Sequence, residues 1–292
     1  MASQWQNFQR NLGAWRGSFT NLDAHGQELD SSASLLTLTS AEGGRLVHFR
    51  LRRSASGDPV ATPSQDTAQE YRTLGKQVVF FDSGSFSKGS LQIAPATRFG
   101  AEYGFICGDR RHRLVQLFGA DGGFESLVLI REFRDGSTVT ERPPLSLEQL
   151  SGNWQGHAAT IEADWPEPTL ATATIAVEKT DACSLCIETE LAAEHTVVRG
   201  RLEAVDGPGG CTGAGGPCYA VDGLSGDGEP SARLLLLPDG GLSLAPLRIH
   251  HRQAFRVEAG WLESPDCWQR LIRRYGPRGE WLSSTHVTAH RR

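Results

Sequence analysis

Hydrophobic and polar residues alternate along short stretches of this chain, and the alternation predicts β-strands. In Leu46–Arg52, Val47, Phe49 and Leu51 fall on one face of an extended segment, and the residues between them are polar or charged. Trp281–Val287 shows a similar pattern. Further short runs are bounded by Gly, Pro, Asp or Ser: Gln77–Phe81, Leu170–Val177, Thr196–Leu202 and Leu234–Leu237. Because the sequence shows no long stretch with helical periodicity and no crossover helix between the runs, the pattern predicts antiparallel sheets.

Two blocks of sequence recur in the same order, which indicates a tandem duplication. A Gly-x-Trp-x-Gly block begins at Gly13 and again at Gly152. A second block, Arg-Leu followed by Val or Ile, begins at Arg113 and again at Arg270. The second copy is longer between its blocks because it contains Gly207–Cys218, a segment rich in Gly and Pro that we predict to be a loop.

The boundary between the two copies is expected near Pro143-Pro144, so that the domains comprise residues 1–142 and 143–292. A short helix is predicted at the start of each, in Trp5–Leu12 and in Leu145–Leu150. Closing each sheet on itself would remove its exposed edges. The predicted fold is therefore all-β, with two tandem antiparallel β-barrels, each preceded by a short helix.

Composition narrows the functional classes. Hydrophobic residues make up 39% of the chain and charged residues 22%, which is typical of a globular protein. The net charge is −5 and no basic tract stands out, so we expect no nucleic-acid partner. We find no apolar run long enough to cross a bilayer and no signal-peptide core. The protein is expected to be cytoplasmic, with no transmembrane segment and with reduced cysteines.

Two Gly-x-Trp pairs, Gly13 with Trp15 and Gly152 with Trp154, resemble the signature of lipocalins. In lipocalins the tryptophan closes one end of the barrel, and an arginine from a late strand packs over its ring. The resemblance implies lipocalin-like barrels in which these four residues are structural. Candidates for the cation are Arg131 in the first module and His290 or Arg291 in the second.

Longer stretches are similar to an uncharacterised lipocalin-like family of cyanobacteria and plastids. They are Trp5–Phe8, Leu12–Thr20, Phe80–Ser87 and Phe99–Phe105, and Gln269–Ser283 is similar to the wider group. That group includes the S-type phycobiliprotein lyases, which attach bilins to antenna proteins. The resemblance implies a protein that binds a hydrophobic, carboxylate-bearing ligand, with a tetrapyrrole or bilin as the leading class. One alternative is a chromophore lyase or lyase-like chaperone that acts on phycobiliprotein subunits; another is a non-catalytic interaction scaffold.

The candidate ligand-binding residues follow from what such a ligand needs at the mouth of a barrel. Arginine can hold a carboxylate with two hydrogen bonds, and Arg113 and Arg270 occupy the same place in both repeats. The alternative is that each faces outward from its strand. Trp261, Trp268 and Trp281 are candidates for stacking on a conjugated ligand, unless they only fill a core. Since tryptophan is concentrated in the second module, we expect that module to be the better candidate.

Two further kinds of chemistry have candidates but no assignment. Bilin attachment would require an acid, and no spacing singles out one of Glu102, Asp109, Glu188 and Glu258. Catalytic residues therefore stay unassigned. Four of the thiols in the second module follow one another within 36 residues: Cys183, Cys186, Cys211 and Cys218. The first two have a metal-chelating spacing, but the last two are too far apart for the usual zinc pattern. We therefore predict no metal, with a zinc ion and a disulfide as the alternatives.

Overall fold

The computed structural model describes residues 2–55, 57–203, 216–222 and 231–292. The first part of the chain forms α1 (Gln4–Gln9), β1 (Gly13–Asp23), β2 (Glu28–Ala41), β3 (Leu46–Ser54), β4 (Gln65–Tyr71), β5 (Val78–Phe80), β6 (Phe86–Gly89), β7 (Phe99–Cys107), β8 (Arg110–Phe118) and β9 (Phe124–Arg134). The second part forms α2 (Leu147–Leu150), β10 (Gly152–Glu162), β11 (Trp165–Lys179), β12 (Ser184–Leu191), β13 (Glu194–Leu202), β14 (Cys218–Asp222), β15 (Ala232–Leu236), β16 (Gly241–Pro246), β17 (Phe255–Ser264), β18 (Cys267–Tyr275) and β19 (Trp281–Arg291). Single 3₁₀ turns occur at Glu42–Gly44 and Pro238–Gly240.

These strands form two antiparallel sheets. The first sheet has the strand order β4-β3-β2-β1-β9-β8-β7-β6-β5. It curls into a half-barrel in which the edge strands β4 and β5 do not pair with each other. The second sheet, β10 to β19, is a closed barrel in which β10 pairs with β19. The prediction of an all-β fold with two barrel-like modules is confirmed, with the refinement that the first module is open on one side. Among the described residues, no helix is both long enough and apolar enough to cross a bilayer.

Both short helices begin with a capping box, which explains where they start. The Ser3 hydroxyl accepts a hydrogen bond from the backbone N–H of Gln6, and the Gln6 side chain accepts one from the N–H of Ser3. Ser146 and Gln149 repeat this arrangement at α2. The boxes satisfy two otherwise unpaired N–H groups at each helix start. Both helices are shorter than the sequence predicted.

The Gly-x-Trp tryptophan of each module is fully buried at one end of its sheet. The Arg134 guanidinium carbon lies 4.0 Å from the centroid of the Trp15 ring, and that of Arg291 lies 4.2 Å from Trp154. Of the candidates from sequence, Arg291 is in place, whereas Arg131 is wrong: it points to Thr20, with a 2.9 Å hydrogen bond. The two modules thus repeat one local construction, which is what the proposed duplication would produce.

The modules pack against each other through the outer faces of their later strands. Tyr103, Phe105 and Leu114 of the first module share one buried cluster with Trp261 and Leu271 of the second. Since side chains alternate between the two faces of a strand, this packing occupies only the outward positions. The inward positions of each module therefore form a separate space.

A buried histidine at this interface predicts acid sensitivity. His286 is 5% exposed, and its Nε2 lies 2.8 Å from Oε1 of Gln269. Burial lowers the pKa of His286 to about 4. The unfolded chain would protonate this imidazole near pH 6.5, so the folded state binds fewer protons between about pH 6.5 and 4, and stability is lost as the pH falls through that window.

We expect the free energy of unfolding to fall by roughly 1–3 kcal/mol between pH 7 and pH 4.5, measured by urea denaturation. The His286→Gln variant should lose less over the same range, and the exposed-site variant His48→Gln should behave as wild type. Equal pH dependence in the wild type and His286→Gln would contradict this prediction.

Candidate functional site

The curled first module encloses a cavity of about 550 Å³ on its inner face. One side is formed by β4 and the segment that leads to β5, at the opening between the two edge strands. Its apolar wall includes Phe8, Leu38, Phe49, Leu51, Phe80 and Phe86. A cavity of this size, lined by both apolar and polar side chains, is typical of a small-molecule site.

Charged side chains form one side of the same cavity. Lys88, Glu102, Arg111 and Arg113 line it, and Glu132 lies next to the two arginines. Arg113 Nη2 lies 2.5 Å from Glu102 Oε1, and Arg111 Nε lies 2.8 Å from Glu132 Oε2. Lys88 Nζ lies 3.6 Å from Glu102 Oε2. Three cations therefore meet two carboxylates, which leaves one positive charge uncompensated within the group.

Strand register explains why these groups meet. Arg111 and Arg113 are two positions apart on β8, so both point inward, whereas His112 between them points to the second module and stacks on Trp261. Glu132 on β9 is the direct cross-strand partner of Arg111. The charge cluster is thus built from neighbouring strands, and its position is fixed by their hydrogen bonds.

The electrostatic interactions within the cluster keep its side chains ionised. Burial alone would raise the pKa of Glu102, but Arg113 and Lys88 outweigh it and hold the pKa below its ordinary value. Burial lowers the pKa of Arg111, against the opposing effect of Glu132. The Arg111 residue is 3% exposed, and its Nη2 has no hydrogen-bond partner in the described part of the chain. One buried N–H donor group beside the cavity is therefore available for an anionic oxygen.

The equivalent arginine of the second module is already engaged. Arg270 is 3% exposed; its Nε lies 2.6 Å from Glu258 Oε1 and its Nη1 lies 3.0 Å from Thr189 Oγ1. Arg111 and Glu132 are cross-strand partners in the first module. At the equivalent positions of the second module, the cross-strand partners are Trp268 and Ala289. Arg270 is therefore ion-paired as Arg113 is, but it does not line the cavity of the first module, and its role in holding a ligand carboxylate stays a prediction.

The three tryptophans proposed to stack on a ligand lie elsewhere. Trp261 is buried between the modules, where its Nε1 donates to the backbone oxygen of Asp239 at 2.9 Å. Trp268 packs edge-on against Trp154 in the barrel core, at 5.7 Å between ring centroids. Trp281 lies beneath the Arg273 guanidinium, 4.9 Å from ring centroid to carbon. None of the three lines the cavity of the first module.

The structure thus moves the candidate site from the second module to the first. Of the predicted ligand residues, Arg113 lies at the cavity and the others do not. Sequence reasoning missed Lys88, Arg111 and Glu132. A partial signal was present, since Arg111 and Arg113 are two residues apart and would share one face of any strand, but nothing in the sequence showed which face was the inner one.

The mouth of the second barrel forms another cavity, of about 720 Å³. Its cations include Arg256 and Arg274. Arg274 lies 2.7 Å from the exposed carboxylate of Glu194, and Arg256 donates to the hydroxyl of Thr196 at 3.3 Å. Although this cavity is larger, its arginines are less buried than those of the first module, so water competes more strongly with any ligand there.

The four thiols considered as metal ligands are not gathered into one described cluster. Cys183 is exposed and Cys186 is buried on β12, whereas Cys218 is buried at the start of β14. Cys211 lies outside the described residues.

Comparisons with known proteins cover both modules. Residues 1–137 match the model of the N-terminal domain of DUF3598, a domain of unknown function. Residues 141–204 and 224–292 match the C-terminal domain of "biogenesis factor required for ATP synthase 1". A crystal structure from Nostoc punctiforme, of a protein of unknown function in the DUF3598 family, is 36% identical over 100% of both chains, with a TM-score of 0.86.

Two other solved structures are only remotely similar. A putative outer membrane protein from Bacteroides fragilis is 10% identical, with 98% of this chain and 99% of that chain covered and a TM-score of 0.26. An S-type phycobiliprotein lyase from Guillardia theta is also 10% identical, with 100% and 93% covered and a TM-score of 0.18. At these scores neither similarity bears on function. No curated protein matches the chain.

Proposed function

The chain belongs to the DUF3598 family, and we propose that it is a binding protein that holds a hydrophobic, carboxylate-bearing molecule in its first module. The observation that carries the proposal is the cavity of about 550 Å³, which is lined both by apolar side chains and by a charged group with one more cation than carboxylate. An amphiphile would put its apolar body against Phe49 and Leu51 and its carboxylate near Arg111 and Arg113. Burying the apolar body contributes about 25 cal/mol per Å² removed from water.

A tetrapyrrole such as a bilin is the leading ligand class. Its conjugated rings suit a wall that includes Phe8, Phe49, Phe80 and Phe86, because aromatic rings stack or pack edge-on with each other. Its propionate groups suit this side of the cavity, because Arg111 Nη2 has no hydrogen-bond partner among the described residues and can donate a charge-assisted hydrogen bond to a carboxylate. A fatty acid offers one carboxylate and no conjugated ring, so the two classes can be separated by experiment.

Titration of the full chain with biliverdin, and separately with oleate, tests this function. We expect one equivalent of biliverdin to bind, with a shifted and sharpened visible absorption band. The Arg113→Gln variant should bind about 10–100-fold more weakly, because it removes the one positive charge by which the cations of this group exceed its carboxylates, and an interaction with a charged group contributes about 1.5–3 kcal/mol. The matched control is Arg50→Gln, which removes an exposed arginine that pairs with Asp66 on the outer face.

Binding of oleate without biliverdin would reassign the ligand class. Absence of binding of both probes, or equal affinities in Arg113→Gln and Arg50→Gln, would contradict the proposed site. Circular dichroism of both variants checks that the fold is intact.

The lyase alternative adds a chemical step to the same binding site. It predicts covalent transfer of the bilin to a cysteine of an added phycobiliprotein subunit, faster than the spontaneous reaction. Equal rates of transfer with and without the protein would contradict the lyase alternative and leave ligand binding as the proposed role of this site. The cytoplasmic location predicted from the sequence belongs to this proposal as well.

A second candidate function is assembly of a protein complex, as an interaction scaffold. It is favoured by the match of the second module to a domain named for a biogenesis factor required for ATP synthase. The barrel core around Trp154 and Trp268 is filled by side chains, which suits a scaffold better than a ligand site. Affinity purification of the tagged full chain from its natural host tests this role. We expect ATP synthase subunits to be enriched, and their absence would contradict this candidate.

A further inference from the structure

Three side chains that can bind a metal meet where the first module contacts the second. They are His25 in the turn between β1 and β2, Glu203 just after β13, and Cys218 at the start of β14. One ligand atom of each, a ring nitrogen, a carboxylate oxygen and a thiol sulfur, lies within 4.8 Å of the others. We propose that these three residues form a zinc site that bridges the two modules.

The distances place one carboxylate oxygen between the two other donors. Glu203 Oε2 lies 2.9 Å from Cys218 Sγ and 3.8 Å from His25 Nδ1. Zinc binds sulfur at about 2.3 Å and nitrogen or oxygen at about 2.0–2.2 Å, which sets tetrahedral ligand atoms roughly 3–4 Å apart. Small side-chain rotations therefore suffice to bring all three atoms onto one ion, and water would complete the tetrahedron.

The segments that carry Glu203 and His25 are held in place by the same neighbour. Arg233 donates to Glu203 Oε2 and Oε1, at 3.0 and 3.2 Å, and to the backbone oxygen of Ala24 at 3.0 Å. The turn is fixed further by Asp23, whose carboxylate accepts a 2.8 Å hydrogen bond from the N–H of His25. The site is thus preorganised from both modules, which lowers the entropic cost of binding.

The charges and atoms of the binding step balance. Zinc takes the place of the proton between Cys218 and Glu203: a Zn–S bond forms, the thiol releases its proton to solvent, and His25 and Glu203 donate lone pairs. No oxidation or reduction occurs. The thiolate and the carboxylate offset the charge of Zn²⁺, and because Arg233 keeps its ion pair with Glu203, the site gains one net positive charge. Sulfur and imidazole ligands favour zinc over calcium or magnesium.

Cobalt provides the spectroscopic test, because a thiolate bound to Co²⁺ gives a charge-transfer band that Zn²⁺ does not. The reduced full chain is titrated with Co²⁺ and then with Zn²⁺. We expect one equivalent of Co²⁺ to produce the band and one equivalent of Zn²⁺ to abolish it. Cys218→Ser should lose the band, and His25→Gln, a change at an exposed turn residue, should weaken binding at least tenfold.

Matched controls separate this site from the other candidates. His48 is an exposed histidine whose Nδ1 also lies near a carboxylate, 3.4 Å from Glu70 Oε1. The His48→Gln variant should bind Co²⁺ as the wild type does. The Cys183→Ser/Cys186→Ser variant should also keep the band. The proposal is overturned if the wild type gives no band, if Cys218→Ser or His25→Gln binds like wild type, or if loss of Cys183 and Cys186 removes the band.

Discussion

Replacing Trp154 by alanine is expected to lower the free energy of unfolding by about 3–5 kcal/mol. The side chain is fully buried in the core of the closed barrel, where it packs edge-on against Trp268 and beneath the Arg291 guanidinium. Its Nε1 also donates a 2.8 Å hydrogen bond to the backbone oxygen of Leu150, at the end of α2. Alanine would leave a cavity and remove the contact that ties the helix to the barrel.

Urea denaturation monitored by circular dichroism measures this effect. The matched control is Trp165→Ala, since Trp165 lies on β11 of the same barrel and is 59% exposed. We expect that variant to unfold within about 0.5 kcal/mol of the wild type. Similar losses in the two variants would contradict the role of Trp154 as the plug of the barrel.

Replacing Glu132 by leucine is expected to cost about 3–5 kcal/mol, because it leaves buried arginine charge without its partner. The Glu132 carboxylate is buried, and it contacts Arg111 at 2.8 Å and Arg113 at 3.5 Å. The control Glu125→Leu removes a carboxylate that is half exposed and 3.7 Å from Arg98, and it should cost less than about 1 kcal/mol.

A double variant distinguishes pairing from packing at this position. Glu132→Leu with Arg111→Leu removes both charges of the closest pair, so the double variant should be more stable than Glu132→Leu alone. A purely additive result would show that Arg111 and Glu132 do not interact. The same double variant should bind biliverdin more weakly, because it lacks the unpaired Arg111 donor proposed to meet the carboxylate.

Much of the local construction was predictable from sequence. Strand alternation revealed the all-β class, and the repeated Gly-x-Trp block revealed where β1 and β10 begin. The resemblance to lipocalins supplied the idea of an arginine over each tryptophan ring. It did not supply Arg134, because β9 ends with two arginines, Arg131 and Arg134, and only the register places one of them over Trp15.

The location of the site was not predictable, for a physical reason. Alternation shows that Arg111 and His112 point in opposite directions, but the inner face is decided by contacts between distant strands. Both faces of β8 are buried, one by the cavity wall and one by the second module, so the pattern of polarity does not separate them. The concentration of tryptophan in the second module pointed to a filled core and an interface instead of a ligand site.

The opening in the first module likewise depends on tertiary structure. The edge strands β4 and β5 lie on either side of the opening, and β4 is polar and exposed along most of its length. Polar, exposed edges resist pairing with other strands. An open first module beside a closed second one is therefore the asymmetry on which the proposed function rests.

Filling the cavity of the first module tests the central claim most directly. The Leu51→Trp variant would place an indole in the proposed binding space, whereas the control Leu29→Trp adds the same side chain at a position on β2 that is 63% exposed. Equilibrium titration with biliverdin should show at least a tenfold loss of affinity in Leu51→Trp and wild-type affinity in Leu29→Trp. Equal biliverdin affinities in the two variants would contradict a ligand site inside the first module.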